Sequence, residues 1–341
     1  MQYFYRCKMK KELYLIAALF LVLVNPLYVS CKKTENPIVY EKGLFPDTLL
    51  PLTGLNSAYD DYNLNIYTLN NYMPVIFSSN RVSSGEQFDL VQGVVTYLFN
   101  QTTGEFLLQS ENNNNPFLSE LTSRLSTDKD DFGPYRLYSS LDGYEYTIVS
   151  SVNEDGNLDF NYVMNLPYFG AVVPSVSGPF PAIKLNSGSN DAYFCFDTSQ
   201  DSAYYTSDAD GDFNIYVLKR DPSVKIETWL NSAWEAPQKV NVLNSAGNDK
   251  CPLIFRKIMV FASDRDGGLG GYDLYYSRFK NGNWETPVNM GPEINSSSDE
   301  YRPILSGDEN FSNMFLMFSS NRPGGLGGFD LYFAGIENLT K

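Results

Sequence analysis

The sequence predicts an all-β fold, a five-bladed β-propeller, and three observations carry that prediction. A corner motif, "FSSNRPGGLGGFDLYFA" at 318–334, returns almost intact as "FASDRDGGLGGYDLYYS" at 261–277. Looser copies are "YTSDADGDFNIYVLK" at 205–219, "VSSVNEDGNLDFNYV" at 149–163 and "FSSNRVSSGEQFDLV" at 77–91. The equivalent residues Phe77, Val149, Tyr205, Phe261 and Phe318 lie 72, 56, 56 and 57 apart, a period that marks a repeat architecture. Each unit also holds four short apolar runs separated by turn residues, without long helical periodicity, which is the pattern of a propeller blade. Finally, the fifth unit ends after three runs, and "FPDTLLPLTGLN" at 45–56 matches the fourth run of the preceding unit, "WETPVNMGPEIN" at 284–295. An N-terminal strand thus completes the last blade and removes an unpaired edge. Six blades is the alternative, because the first interval is the longest.

In chain order, residues 1–30 read as a signal peptide. Arg6, Lys8, Lys10 and Lys11 precede the run "LYLIAALFLVLV" at 13–24, too short to span a bilayer. "YVSC" at 28–31 resembles the bacterial lipoprotein signal, which implies cleavage before Cys31 and acylation of that residue. Tyr28 stands where Leu is usual, so cleavage without lipidation is the alternative. Residues 31–43 form a tether. The propeller covers 44–341, with units near 57–95, 128–185, 187–243, 245–294 and 296–335, the last completed by 45–56.

The first interval contains "ENNNNPFLSELTSRLS" at 111–126. Asn115 as N-cap, Pro116 at the first position and Leu118, Leu121 and Leu125 predict a short amphipathic helix. The tyrosine-rich stretch that follows suggests an irregular binding rim of Phe132, Tyr135, Tyr138, Tyr144 and Tyr146, or else a loop capping one blade.

The corner motif has a ligand-like look, but a strand and not a helix follows its glycines, which argues against a phosphate loop. Asp330 recurs as Asp273, Asp159 and Asp89, and as Asn214 in the third unit. A residue present in every blade is expected to be structural, accepting hydrogen bonds from Ser320, Arg322 or turn amides of its own blade, with Arg265 as the counterpart of Arg322. Asp208, Asp210, Asp212 and Asn214 alternate as in a calcium loop. Phe213 replaces the usual Gly and no bidentate Glu follows, so calcium site and plain blade corner both stand. Trp234 and Trp284 fall at equivalent positions and are expected to pack between blades, with sugar stacking as the alternative.

Composition narrows the chemistry. The 341 residues contain no His, which excludes Ser-His-Asp and Cys-His catalysis and His-ligated zinc. The formal charge is −15, near −18 without residues 1–30, and does not suit nucleic acid. Cys195 and Cys251 either pair or are small buried apolar residues.

The "SSNRPGG…GGFDLY" signature resembles the TolB-like, WD40-like propeller repeat of bacterial envelope proteins. The resemblance implies a lipid-anchored outer-membrane protein, facing the periplasm or the surface, that binds an envelope protein partner without catalysis and without a cofactor other than the calcium just considered. The alternative is a carbohydrate-binding or glycan-degrading propeller. Hydrolysis of glycans needs paired carboxylates. Asp197 and Asp308 are the nearest candidates, though both resemble ordinary turn acids.

Overall fold

A computed structural model describes residues 41–67, 71–113, 115–168 and 172–340. The leader, Cys31 and the tether up to residue 40 lie outside the described residues. The first strand, β1 (Leu50–Pro51), belongs to the last blade. Blade one comprises β2 (Asp61–Ile66), β3 (Tyr72–Ser79), β4 (Asp89–Phe99) and β5 (Phe106–Asn112). Blade two comprises β6 (Asp131–Tyr138), β7 (Glu145–Val152), β8 (Leu158–Asn165) and β9 (Val176–Pro181). Blade three follows with β10 (Asp191–Phe196), β11 (Ser202–Ser207), β12 (Asn214–Lys219) and β13 (Gln238–Lys239). In blade four, β14 (Asp249–Phe255), β15 (Ile258–Ser263) and β16 (Asp273–Lys280) are followed by two short strands on β16, β17 (Asn283–Trp284) and β18 (Val288–Asn289). Blade five has β19 (Glu300–Ser306), β20 (Met314–Ser320) and β21 (Asp330–Ile336), with β1 as its outer strand. The inner strands touch in the cycle β2, β6, β10, β14, β19 and back to β2, so five antiparallel blades close a ring.

Closure is made by the N-terminal segment. Leu50 pairs with Phe333 and Pro51 with Tyr332. Proline is tolerated here because the outermost strand needs no further donor. Phe45 is buried and stacks on Phe311 with ring centroids 3.7 Å apart, while its edge contacts Tyr97 of blade one at 5.4 Å. One aromatic ring therefore joins the last blade to the first.

The five repeat residues Phe77, Val149, Tyr205, Phe261 and Phe318 all lie on second strands, opposite Val91, Asn161, Tyr216, Tyr275 and Tyr332. All five are buried. The 16 extra residues of the first interval include helix α1 (Pro116–Leu125), whose N-cap Asn115 accepts from the amides of Phe117 and Leu118. Its Leu118, Leu121 and Leu125 fill the wedge between Ile76 and Leu90 of blade one and Val149 and Val163 of blade two. Each such leucine stabilises by about 1.5–3 kcal/mol when fully buried. A second short helix, α2 (Ile226–Leu230), packs Trp229 against Phe196 at 5.8 Å in blade three.

Candidate functional site

Three places could carry chemistry: the blade corners, the central channel and the grooves between blades. At the corners, each inner strand begins with a buried acid: Asp61, Asp131, Asp191, Asp249 or Glu300. Each accepts the amide of the residue four earlier, at 2.5–2.8 Å. In three blades an arginine from the next corner neutralises the acid: Arg81 to Asp61 and Arg265 to Asp249 at 2.5 Å, and Arg322 to Glu300 at 2.8 Å. Asn153 and Ala209 stand at that position in blades two and three. There burial pushes the Asp131 and Asp191 carboxyls up to about 6, against the lowering hydrogen bonds of nearby Ser and Thr hydroxyls and amides.

Of the partners expected for the repeated third-strand acids, the turn amides serve Asp330 and Asp273, and the serine and arginine do not. Asp330 accepts the amides of Leu326 and Gly327, whereas Ser320 and Arg322 are both bonded to Glu300. The register explains this, because Ser320 lies opposite Glu300 across β19 and β20. Asp273 likewise accepts from Leu269, Gly270 and Asn289, Asp159 from Asn153, and Asp89 from Gln87, while Asn214 donates to the Asp212 carbonyl.

The calcium-loop reading of 208–214 does not match the geometry. The Asp208 carboxylate accepts from the Asn190 amide and side chain, and Asp210 accepts from the Tyr216 hydroxyl and pairs with Lys239 at 3.4 Å. Among the described residues no group of three or more His, Cys, Asp or Glu is placed to hold a metal ion.

The tyrosine-rich rim is also corrected. Phe132, Tyr135 and Tyr138 lie on the inner strand β6 and Tyr146 on β7, with Tyr144 just before it. Phe132 packs on Phe88 at 5.4 Å, Tyr135 on Phe194 at 5.6 Å, and Tyr146 is fully buried with its hydroxyl on Asp142. Of the five only Tyr138 is exposed. Aromatic density here reflects interblade packing, which consumes the rings a binding surface would need.

In the channel, the third residue of every inner strand is left-handed: Asn63, Gly133, Tyr193, Cys251 and Arg302, with φ of 47–60°. Each lies within a register shift of its strand, a bulge that re-aims the chain there and, except at Gly133, its side chain. The inward residues fill the axis. Tyr193 and Tyr301 meet at 5.8 Å, and the buried Arg302 lies over the Tyr193 ring and donates to the Pro134 carbonyl at 3.0 Å. Among the described residues, the only carboxylate on each inner strand is its first residue, which faces a corner. Cys195 and Cys251 are buried and unpaired, and burial pushes both thiols up to about 12.

The remaining place is a cleft of about 950 Å³ between blades three and four, on the face where the inner strands end. Its floor is aromatic: Trp284 meets Phe279 at 5.1 Å and donates its ring N–H to the Tyr204 hydroxyl at 3.2 Å, tying blade four to blade three. Trp234, by contrast, is half exposed in the loop before β13. One wall is the 197–201 turn. Asp197 accepts the amides of Asp201 and Ser202 and the Ser199 hydroxyl. The Ser202 hydroxyl, 2.6 Å away, holds the neighbouring Asp201 carboxyl below the usual carboxylate range, with Lys219 adding to the effect. The other wall carries Gln238, Asn241 and Asn283. Asp308, the second sequence candidate, lies elsewhere, accepting the Tyr97 hydroxyl at the junction of blades five and one.

No protein-family model matches this sequence, and no curated protein matches it. Solved structures do resemble it in fold. The catalytic domain of a GH62 α-L-arabinofuranosidase from Coprinopsis cinerea aligns with TM-score 0.52 and 12% identity, over 87% of this chain and 98% of that one. An endo-arabinase from Bacteroides thetaiotaomicron aligns at 0.50 and 13%, over 86% and 97%. An exo-β-1,3-galactanase from Phanerochaete chrysosporium aligns at 0.51 and 14%, over 88% of this chain; the chain spans 64% of the galactanase. These three proteins are glycan-degrading enzymes, which overturns the expectation of a non-catalytic protein-binding module. At these identities the likeness establishes the five-bladed β-propeller.

Proposed function

We propose that this chain is a carbohydrate-active propeller that takes a glycan into the cleft between blades three and four. The observation that carries this reading is the cleft itself. Its volume suits a short oligosaccharide. Its apolar floor of Trp284 and Phe279 is flanked by the hydrogen-bonding side chains of Gln238, Asn241 and Asn283, a combination that suits sugar rings with their hydroxyl edges. Asp197 and Asp201 are its carboxylates, held in place by their own turn, and a glycosidic bond is cleaved by paired carboxylates. The signal-like N-terminus supports a location outside the cytoplasm, where polymeric glycans are met.

Calorimetric titration with arabino-, galacto- and xylo-oligosaccharides tests the reading, together with a reducing-end assay on the corresponding polymers. Binding that Asn283→Ala weakens, and reducing ends that Asp197→Asn or Asp201→Asn suppress, support it. Absence of heat from every glycan overturns it.

A further inference from the structure

We infer that the glycan taken by this cleft is anionic, carrying carboxylate or sulfate groups; the inference rests on the carbohydrate reading above. The chain as a whole is strongly acidic, with 40 Asp and Glu against 25 Lys and Arg. The cleft reverses that balance, since Lys219, Lys239, Arg256 and Lys257 line it against Asp197 and Asp201. A local patch of opposite sign in an acidic body attracts anions.

The pairing within the cleft sharpens the point. Both carboxylates are already engaged by their own turn, Asp197 through two amides and a hydroxyl and Asp201 through Ser202. Lys219 donates to the neutral Ser202 hydroxyl. Lys239 reaches Asp210 only at 3.4 Å, in a solvent-exposed pair worth little. Arg256 and Lys257 have no ion pair with any described residue, and both are exposed at the mouth.

The backbone at Arg256 is a second observation. It occupies the tight turn between β14 and β15 with φ 59°, a conformation that Gly or Asn adopts at lower cost. An arginine is therefore held where the turn itself would favour a smaller residue. Its carbonyl accepts the Thr198 hydroxyl at 3.0 Å, which fastens the blade-three wall to the blade-four turn and fixes the mouth. A guanidinium fork placed there matches a sugar carboxylate or sulfate in two-point geometry.

The test compares oligosaccharides of equal length by calorimetry at low and high salt: a neutral arabino-oligosaccharide, an oligogalacturonate and a sulfated galactan oligosaccharide. The double variant Arg256→Gly, Lys257→Gln removes both cations, and the glycine relieves the left-handed turn, so the fold is retained and the melting temperature reports it. We expect one or both acidic glycans to bind about ten-fold more tightly than the neutral one, the preference shrinking with salt and falling in the variant, which keeps only Lys219 and Lys239. Which acidic glycan wins distinguishes carboxylate from sulfate. Equal affinity for neutral and acidic glycans, or an unchanged preference in the variant, overturns this inference while leaving the carbohydrate reading intact. No binding by any of the three overturns both.

Discussion

Asn56 holds both backbone groups of Leu331, 275 residues away: its Oδ1 accepts the Leu331 N–H at 2.8 Å and its Nδ2 donates to the Leu331 carbonyl at 3.1 Å. Asn186, Asn244 and Asn295 clasp Phe160, Ile215 and Leu274 in the same two-bond manner. The contact at Asn56 is distinctive because it joins the two ends of the ring. Loss of two hydrogen bonds with the partner groups left behind costs about 1–3 kcal/mol. Urea denaturation of Asn56→Ala should show a loss in that range, and a midpoint equal to the wild type's would show that closure does not depend on this clasp.

Asp131 and Asp191 couple stability to pH. Their carboxyls titrate near 6 in the folded protein, and in an unfolded chain an aspartate titrates near about 3.9. The folded state therefore holds protons more tightly, so this stabilising contribution is full below about pH 4 and is lost as pH rises through about 6. Relative to the wild type, Asp191→Asn should gain stability at pH 7.5 and lose that gain toward pH 4. Denaturation at a series of pH values reads this directly, and a difference of constant size across the series would refute it.

Blade three offers a complementary gain. Ala209 stands where Arg265 and Arg322 neutralise the buried acid of their blades. Ala209→Arg should place a guanidinium beside Asp191 and stabilise the protein at neutral pH by about 1 kcal/mol or more, since it supplies a partner to an already buried charge. Thermal melts at pH 7.5 and pH 4.5 check it: the gain belongs at the higher pH, and a variant that melts lower at both would contradict the assignment.

Gly133 has no room for a side chain. A Cβ there would lie 2.7 Å from Tyr193 Cδ1, and φ is 59°. Gly133→Ala should therefore cost about 2–4 kcal/mol, from crowding and the left-handed backbone together. Gly156→Ala is the control, because its φ is 86° but nothing lies within 4 Å of the new methyl. It should cost about 1 kcal/mol. Similar losses in both variants would mean that Tyr193 does not fill the axis as described.

The thiols of Cys195 and Cys251 should resist modification in the folded protein, since burial pushes both up to about 12 and the thiolate is the reactive form. Labelling with a thiol reagent followed by peptide mapping should find both unmodified in native protein and both modified in urea. Prompt native labelling would show that the axis opens, if at Cys251, or that the packing between blades three and four opens, if at Cys195.

The architecture was legible because its determinants are local and repeated. Corner serines, turn glycines and alternating apolar runs report strand and turn wherever they occur, and five copies pointed to five blades. The helix at Pro116–Leu125 was equally readable, since Asn115, Pro116 and three leucines act within a few residues of one another. Partner assignment was legible only in part. The turn amides expected among the partners of Asp330 do serve it, but Arg322, eight residues away and also expected there, goes by strand register to Glu300, 22 away.

The sequence alone therefore determined the repeated blade, the closing strand and the absence of histidine chemistry, and the structure decided for five blades over six. The axis and the cleft were decided by tertiary structure. Asn63, Gly133, Tyr193, Cys251 and Arg302 share one backbone conformation and no chemistry, so no motif announces them. The cleft draws Asp197, Lys219, Arg256 and Trp284 from two different blades, and only the packing of neighbouring blades brings such non-repeating residues to one place.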